Sequence, residues 1–104
     1  MKKWTIDEII HANKSAGKYF FEKATMEFFD SEIENGPYSG PGGVFFTTSE
    51  QFHDRGRSAP RRYTVRSFNP ETGDVGTVRH FNEIKTASEA KKIAEELALK
   101  GFIS

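Results

Sequence analysis

The 104-residue sequence contains no cysteine, which excludes disulfide bridges, thiolate metal sites and thiol catalysis. It also has no apolar run near the roughly 20 residues that a membrane-spanning helix requires. The N-terminal residues lack the apolar segment of a secretory signal peptide. These absences predict a soluble cytoplasmic protein that does not bind membranes.

Patterns of catalytic and metal-binding residues are missing as well. The three histidines, His11, His53 and His80, fall in separate predicted elements without ligand spacing, whereas a zinc site requires three or four convergent ligands. There is no nucleophile motif of the G-x-S-x-G type, and no glycine run is followed by the lysine of a phosphate-binding loop. We therefore expect no metal, no cofactor and no enzymatic activity.

What the sequence does contain is enough apolar material for one folded domain. Hydrophobic residues make up 36% of the chain and aromatic residues 13%, which is too much for a disordered segment. A chain of this length holds one hydrophobic core, so we predict a single domain over residues 1–104.

The first predicted helix has a recognisable beginning and end. Thr5 and Glu8 have the spacing of a capping box, in which each side chain bonds a backbone N–H of the first turn. Trp4 and Ile9 are spaced as a hydrophobic staple across the same turn. Gly17 is a natural residue at which such a helix stops.

The last predicted helix is amphipathic. Thr86 and Glu89 form a second candidate capping box, and Gly101 followed by Phe102 is typical of a helix end at which Phe102 packs on Leu97. One face of this helix carries an apolar stripe: Ala90, Ile93, Ala94, Leu97 and Ala98.

Three segments are predicted to be β-strands. They are Val44–Ser49, Arg61–Phe68 and Val75–Phe81, and the last two alternate as a hairpin around the turn Asn69–Asp74. The aromatic segment Thr25–Ile33 fits either a strand or a short helical turn that leads into a strand, because apolar runs this short do not determine the period.

Two further segments are predicted to be irregular. Gly36–Gly43 has the composition of a turn or loop, and His53–Pro60 that of a flexible loop. The whole pattern predicts an α+β fold: an N-terminal helix, an antiparallel sheet of three or four strands, and a C-terminal amphipathic helix packed on one face. The predicted core comprises Ile9, Ile10, Phe28, Phe46, Val65, Val78, Ile93 and Leu97.

Charge is unevenly distributed along a chain whose formal net charge is zero. Residues 22–54 carry seven acidic residues and one lysine, a net charge of −6. Residues 55–79 carry all six arginines and two acidic residues, a net charge of +4. The two segments either pair within the fold, or steer a partner or a homodimer.

The arginines are the candidate binding residues. Guanidinium groups suit phosphates, and the aromatic side chains between them offer stacking surfaces for bases. Arg62, Arg66 and Arg79 could lie near one another across the hairpin; the alternative is an exposed strand face whose arginines pair with the acidic segment. The full candidate set is Arg55, Arg57, Arg61, Arg62, Arg66 and Arg79.

Three segments, Lys18–Ile33, Val44–Phe52 and Arg61–Phe68, resemble an uncharacterised family of short proteins carried by bacteriophages, prophages and other mobile elements. The resemblance covers roughly residues 20–97. It implies a bacterial or phage-infected host cell and an accessory role, with no known activity or catalytic residues. We therefore expect a non-enzymatic protein that binds a protein partner; the alternative is a nucleic-acid-binding module that uses the arginine-rich loop and hairpin.

Overall fold

The computed structural model describes residues 2–54 and 57–101, with side chains for all of these except residues 53, 54, 57 and 58. Four strands form an antiparallel sheet in the order β1-β2-β5-β6, and β3 and β4 form a separate two-stranded ladder. In chain order the elements are α1 (Ile6–Ser15), α2 (Lys23–Phe28), β1 (Glu32–Gly40), β2 (Gly43–Glu50), β3 (His53–Asp54), β4 (Arg57–Ser58), β5 (Arg62–Phe68), β6 (Val75–Val78) and α3 (Ala87–Lys100). The predicted α+β fold is confirmed.

Strands β2 and β5 form the centre of the sheet. Their register runs without a shift from the pair Val44–Phe68 to the pair Glu50–Arg62. Because side chains alternate along a strand, each strand contributes residues to two separate cores, one on each face of the sheet.

One core lies between the sheet and α3, on what we call the α3 face. Phe45 and Val65 pack here against a stripe of small residues on the helix: Ala90, Ala94 and Ala98. Ile93 and Leu97, which were predicted to be core residues, flank this stripe and are half-buried. The amphipathic helix therefore packs on one face of the sheet as predicted, with its alanines closest to the strands.

The second core lies on the opposite face, which we call the α1 face. Its buried members are Ile9, Phe21, Val44, Phe46 and Phe68. The predicted capping box at the start of α1 is present, and the Trp4 ring packs at 4.9 Å from that of Phe68. Ile10 borders this core half-buried.

The prediction of a loop over residues 36–43 is wrong. Strand β1 continues to Gly40, and the turn consists of Pro41 and Gly42 alone. The strand accommodates Pro37, which follows a cis peptide bond, because its pairing with β2 shifts register between Asn35 and Tyr38.

The ambiguous segment 25–33 adopts the second of its two predicted forms. Helix α2 ends at Phe28, and β1 begins at Glu32. Phe28, predicted to be a core residue, is instead 77% exposed. The reason is that α2 buries none of its residues, so a ring at its last position does not reach the sheet.

Two other boundaries differ from prediction. Strand β6 ends at Val78 rather than Phe81, because Arg79 (φ 62°) and Asn82 (φ 57°) have left-handed backbone conformations that a strand does not accommodate. Within the predicted loop 53–60, the backbone of β3 and β4 forms a short ladder. The predicted packing of Phe102 lies outside the described residues.

Candidate binding surface

Helix α2 positions two phenylalanines at its C-terminal end. The backbone N–H of Asp30 donates to the Glu27 carbonyl at 3.1 Å, and that of Ser31 donates to the Met26 carbonyl at 2.7 Å. These bonds, with Asp30 at φ 51°, form a Schellman ending, a role usually taken by glycine. The ending fixes Phe28 and Phe29 at the point where the chain turns into β1.

Phe28 and Phe29 belong to a cluster of four rings, which we call the aromatic cluster, completed by Phe52 and Phe81. The Phe29 ring lies at its centre, with ring centroids 4.6 Å from Phe28, 4.9 Å from Phe52 and 5.1 Å from Phe81. Phe28 is 77% exposed, Phe52 38% and Phe81 37%. Edge-to-face packing holds the rings together while leaving apolar surface in water.

Hydrogen bonds near the end of β2 bring the cluster's separate segments together. The Gln51 backbone N–H, next to Phe52, donates to the Phe29 carbonyl at 2.9 Å. The Asn82 side chain, next to Phe81, donates to the Glu50 carbonyl at 3.0 Å. The cluster is therefore fixed by backbone contacts and does not depend on the rings alone.

A buried charged pair lies beside the cluster on the α1 face. The Glu50 carboxylate is completely buried, and Arg66 Nη2 donates to it at 3.1 Å. Thr48 and Thr64 also donate their hydroxyls to this carboxylate, at 2.5 and 2.7 Å. Asn82 Nδ2 donates to it at 3.2 Å, so the carboxylate has several partners.

The Arg66 guanidinium lies between two rings. Its central carbon is 5.0 Å from the Phe20 ring centroid and 5.3 Å from that of Phe81. Burial lowers the pKa of Arg66, and the nearby charge of Glu50 opposes that change. Arg66 also donates to Thr77, so its polar atoms are directed at protein groups rather than at solvent.

Arg61, a second candidate binding residue, is held by the acidic segment. It forms ion pairs with Asp30 at 3.4 Å and Glu32 at 3.9 Å, and it donates to the Ser49 hydroxyl at 2.7 Å. Arg61 and Arg66 therefore both pair with acidic residues of the segment 22–54, but Arg66 is buried and does not lie on the exposed strand face that the alternative assumes.

The other candidate arginines lie apart from this pair. Arg62 is half-buried and opposite Glu50 in the sheet register, whereas Arg79 is exposed beyond the end of β6. Arg79 lines cavities on the α3 face, so the structure does not group it with Arg62 and Arg66. Arg55 and the side chain of Arg57 lie outside the described residues.

The cavity that Arg79 borders lies between α3 and the segment after β6, and its volume is about 440 Å³. Apolar side chains from the sheet and α3, among them Val65, Val78 and Ile93, line it together with charges of both signs. A smaller cavity of about 230 Å³ continues along α3 and shares Arg79 and Ile93 with the first.

The surface around the aromatic cluster is acidic. Glu27 precedes Phe28, Asp30 follows Phe29, and Glu32 begins β1; all three side chains are exposed. Lys23 lies 3.8 Å from Glu27 across one helical turn and balances part of this charge. The cluster is thus an apolar patch with a negatively charged border.

Sequence reasoning missed the aromatic cluster as a site. Phenylalanines are dense in residues 20–29, which is a visible signal, but the sequence analysis predicts a core position for Phe28 and no surface role for it. Among the described residues, no group of three or more histidine, aspartate or glutamate side chains is placed to hold a metal ion. In that same part of the chain, no helix is long and apolar enough to cross a membrane.

Comparison with known proteins assigns the chain to a family. Residues 5–95 match the DUF7447 family, a family of unknown function, and because the match covers most of the sequence the chain belongs to that family. Neither the curated proteins nor the solved structures show a significant match to the chain. Membership of a family without assigned activity is therefore confirmed, whereas an origin in a phage or mobile element stays a prediction.

Proposed function

We propose that this protein is a non-enzymatic accessory protein of a phage or mobile element that binds a protein partner through the aromatic cluster. The observation that carries the proposal is the exposure of Phe28 within a set of packed rings. Isolated exposed apolar residues are ordinary on protein surfaces, but contiguous apolar patches mark interaction sites.

The construction of the cluster supports this role. Binding hot spots are enriched in aromatic residues that are already held in place, since a fixed ring loses little conformational entropy on association. The Schellman ending at Asp30 and the bond from Gln51 to the Phe29 carbonyl hold the rings in this way.

The acidic border favours a protein over a nucleic acid at this surface. Exposed Glu27, Asp30 and Glu32 outnumber the two described cations paired with them, Lys23 and Arg61, so the border repels phosphate groups and attracts lysine or arginine side chains at the rim of a protein interface. We therefore expect the partner to present an apolar segment flanked by basic residues.

The test is affinity capture from a nuclease-treated bacterial lysate, followed by calorimetry with each purified candidate. We expect the alanine substitution F28A to weaken binding of the true partner about tenfold or more, because truncating a hot-spot ring typically costs more than 1 kcal/mol. The matched control is Y19A, which removes an exposed aromatic ring outside the cluster. A captured set that F28A and F52A leave unchanged would contradict the proposal.

A second candidate function is nucleic-acid binding through the arginines that are not committed to Glu50 or the acidic segment. Within the described residues, Arg62 and Arg79 form no ion pair, and exposed rings could stack on bases. A gel-shift titration on duplex DNA, duplex RNA and single strands tests this directly. Arg62→Ala should lower the slope of log affinity against log salt by roughly 0.7–0.9, and absence of binding at low salt eliminates the candidate.

A further inference from the structure

Helix α3 does not cover the whole α3 face of the sheet. It packs on β1, β2 and β5, and its contacts with β6 are fewer. The uncovered part is the cavity of about 440 Å³ beside Arg79, which the smaller cavity of about 230 Å³ continues along the helix. Pockets that bind small molecules typically have volumes of about 300–1,000 Å³, so this space has the size of a ligand site.

The fold holds the walls of the larger cavity in place. Val65 and Val78, which are paired in the register of β5 and β6, form its apolar floor. Ile84 forms a β-bridge with Tyr63 through backbone bonds of 2.8 and 3.1 Å, which fixes the segment after β6. In the same segment the Asn82 backbone N–H donates to a threonine hydroxyl of β5 at 2.8 Å. A pocket that is already formed loses little conformational entropy when a ligand enters it.

Charged residues of both signs surround the apolar floor. Arg79 and Lys85 are positive, Glu83 and Glu89 are negative, and all four are exposed at the rim. Among the described residues none of the four forms an ion pair, although their charges balance. The cavity therefore offers separate cationic and anionic groups above an apolar surface.

Arg79 has a backbone conformation that arginine rarely adopts. Its φ is 62°, and the other described non-glycine residues with positive φ are Asp30 and Asn82, whose residue types adopt this region more readily. Arg79 lines both cavities, and in the part of the chain that the structure describes its guanidinium has no hydrogen-bond or ion-pair partner. Residues in unfavourable conformations are concentrated at functional sites, so this guanidinium points to a ligand.

The Glu89 carboxylate is likewise not used by the helix that carries it. In α1 the corresponding residue, Glu8, accepts the Thr5 backbone N–H at 3.0 Å and completes a capping box. In α3 the Glu89 N–H donates to the Thr86 hydroxyl at 3.2 Å, but the described bonds include no return bond to the Glu89 carboxylate. The predicted second capping box is therefore only half formed, and Glu89 lines the cavity.

We propose that this cavity binds a small zwitterion with an apolar body, of the class of apolar amino acids and short apolar peptides. Arg79 binds the ligand carboxylate, because a guanidinium donates two parallel hydrogen bonds to such a group. Glu89 binds the ligand ammonium group, and the floor of Val65 and Val78 contacts the apolar body. A phosphate is disfavoured, since Glu83 and Glu89 repel it and it brings no cation to compensate. The site shares no residue with the aromatic cluster.

The first measurement is titration of the isotope-labelled full chain, followed by NMR, with leucine, phenylalanine and the dipeptide phenylalanyl-leucine. We expect saturable shifts in the amide signals of residues 79–85 and none in the indole signal of Trp4, which packs on the α1 face. Tighter binding of either the amino acids or the dipeptide supports the proposal and identifies the length of the ligand. N-acetylphenylalanine and phenylalaninamide, which each lack one charge, should bind about tenfold more weakly than phenylalanine. Equal affinity for these three, or no saturable shift with any probe up to about 10 mM, overturns the proposal.

The second measurement separates a binding role of Arg79 from a structural one. Arg79→Asn removes the guanidinium and adopts the left-handed conformation more readily, so its melting temperature should be unchanged or higher. The dissociation constant for phenylalanine should nevertheless rise about tenfold, whereas that for phenylalaninamide, which has no carboxylate, should not change. The control Lys92→Asn, at an exposed position on α3 outside the cavity, should change neither constant. A lower melting temperature with unchanged binding in Arg79→Asn overturns the proposal.

The third measurement tests the carboxylate. Glu89→Gln should raise the dissociation constant for phenylalanine about tenfold and leave that for N-acetylphenylalanine, which has no ammonium group, unchanged. Glu71→Gln, the same substitution at an exposed position in the turn after β5, is the matched control and should leave both constants unchanged. Circular dichroism shows that each variant folds. Equal weakening of both probes by Glu89→Gln, or an equal effect of Glu71→Gln, overturns the proposal.

Discussion

The Glu50 carboxylate is completely buried, and its distance to Arg66 Nη2 is 3.1 Å. Both charges lie on the α1 face of the two central strands, and Phe81 of the aromatic cluster packs against the arginine. The pair therefore connects the interior of the sheet to the proposed binding surface.

Loss of one member of this pair should be strongly destabilising. Replacing Glu50 with glutamine leaves the Arg66 guanidinium buried without a counter-charge, which costs about 3–5 kcal/mol of the free energy of unfolding. Urea denaturation followed by circular dichroism measures this value. The double variant E50Q/R66M should recover part of the loss, because it also removes the buried guanidinium that has no counter-charge.

The matched control for the buried pair is the exposed ion pair between Lys23 and Glu27, 3.8 Å apart on α2. Glu27→Gln should change the free energy of unfolding by less than about 0.5 kcal/mol, because solvent screens a surface pair. If Glu50→Gln and Glu27→Gln lower the free energy of unfolding by similar amounts, burial does not determine how strongly the Glu50 pair stabilises the fold.

Arg61 should contribute more to stability than its neighbour Arg62. Arg61→Ala removes two ion pairs and the bond to the Ser49 hydroxyl, so we expect a loss of about 1–2 kcal/mol in the free energy of unfolding. Arg62→Ala has no such described partner and should cost less than about 0.5 kcal/mol. Thermal denaturation of both variants checks the order, and a larger loss for Arg62 would contradict it.

The elements that the sequence predicts well are those with local signals. The capping box of Thr5 and Glu8 and the small-residue stripe of α3 each fix a helix from residues close together in the chain. The strand formed by residues 61–68 is predicted in the same way, from side chains that alternate between the two faces of the sheet. Such patterns depend only on backbone geometry over one or two turns, so tertiary packing does not change the elements that they predict.

The elements that the sequence does not predict depend on distant partners. A glutamate is almost never fully buried unless it is paired, and only the convergence of Glu50 with Arg66 and Thr64 makes burial of its charge possible. Pro37 signals a loop by composition, yet a register shift against β2 retains it in a strand. Phe28 is apolar, and only the short length of α2 determines that its ring remains in water.

The N-terminal capping box should make stability depend on pH in the acidic range. Bonds from Lys2 and from the Thr5 backbone lower the pKa of Glu8 below its ordinary value, so the folded state favours the carboxylate. This contribution is fully present above the ordinary pKa of a glutamate and is lost as pH falls through the lowered pKa. Glu8→Gln should therefore flatten the decline of melting temperature toward acid pH, and an unchanged decline would show that Glu8 is not responsible.

The β1–β2 turn lies so close to α3 that position 42 should not accept any side chain. A Cβ atom built there would lie 2.1 Å from the Leu97 carbonyl oxygen and 2.1 Å from the Gly101 nitrogen, and backbone atoms cannot move aside as a flexible side chain can. We expect Gly42→Ala to lower the free energy of unfolding by about 3 kcal/mol or more, because the helix must shift from the sheet. The control is Gly17→Ala: Gly17 has φ 77° and no neighbour within 4 Å of the added atom, so only backbone strain of about 1–2 kcal/mol applies. Urea denaturation of the two variants separates the effects, since equal losses would mean that contact with α3 adds nothing to the requirement for glycine at position 42.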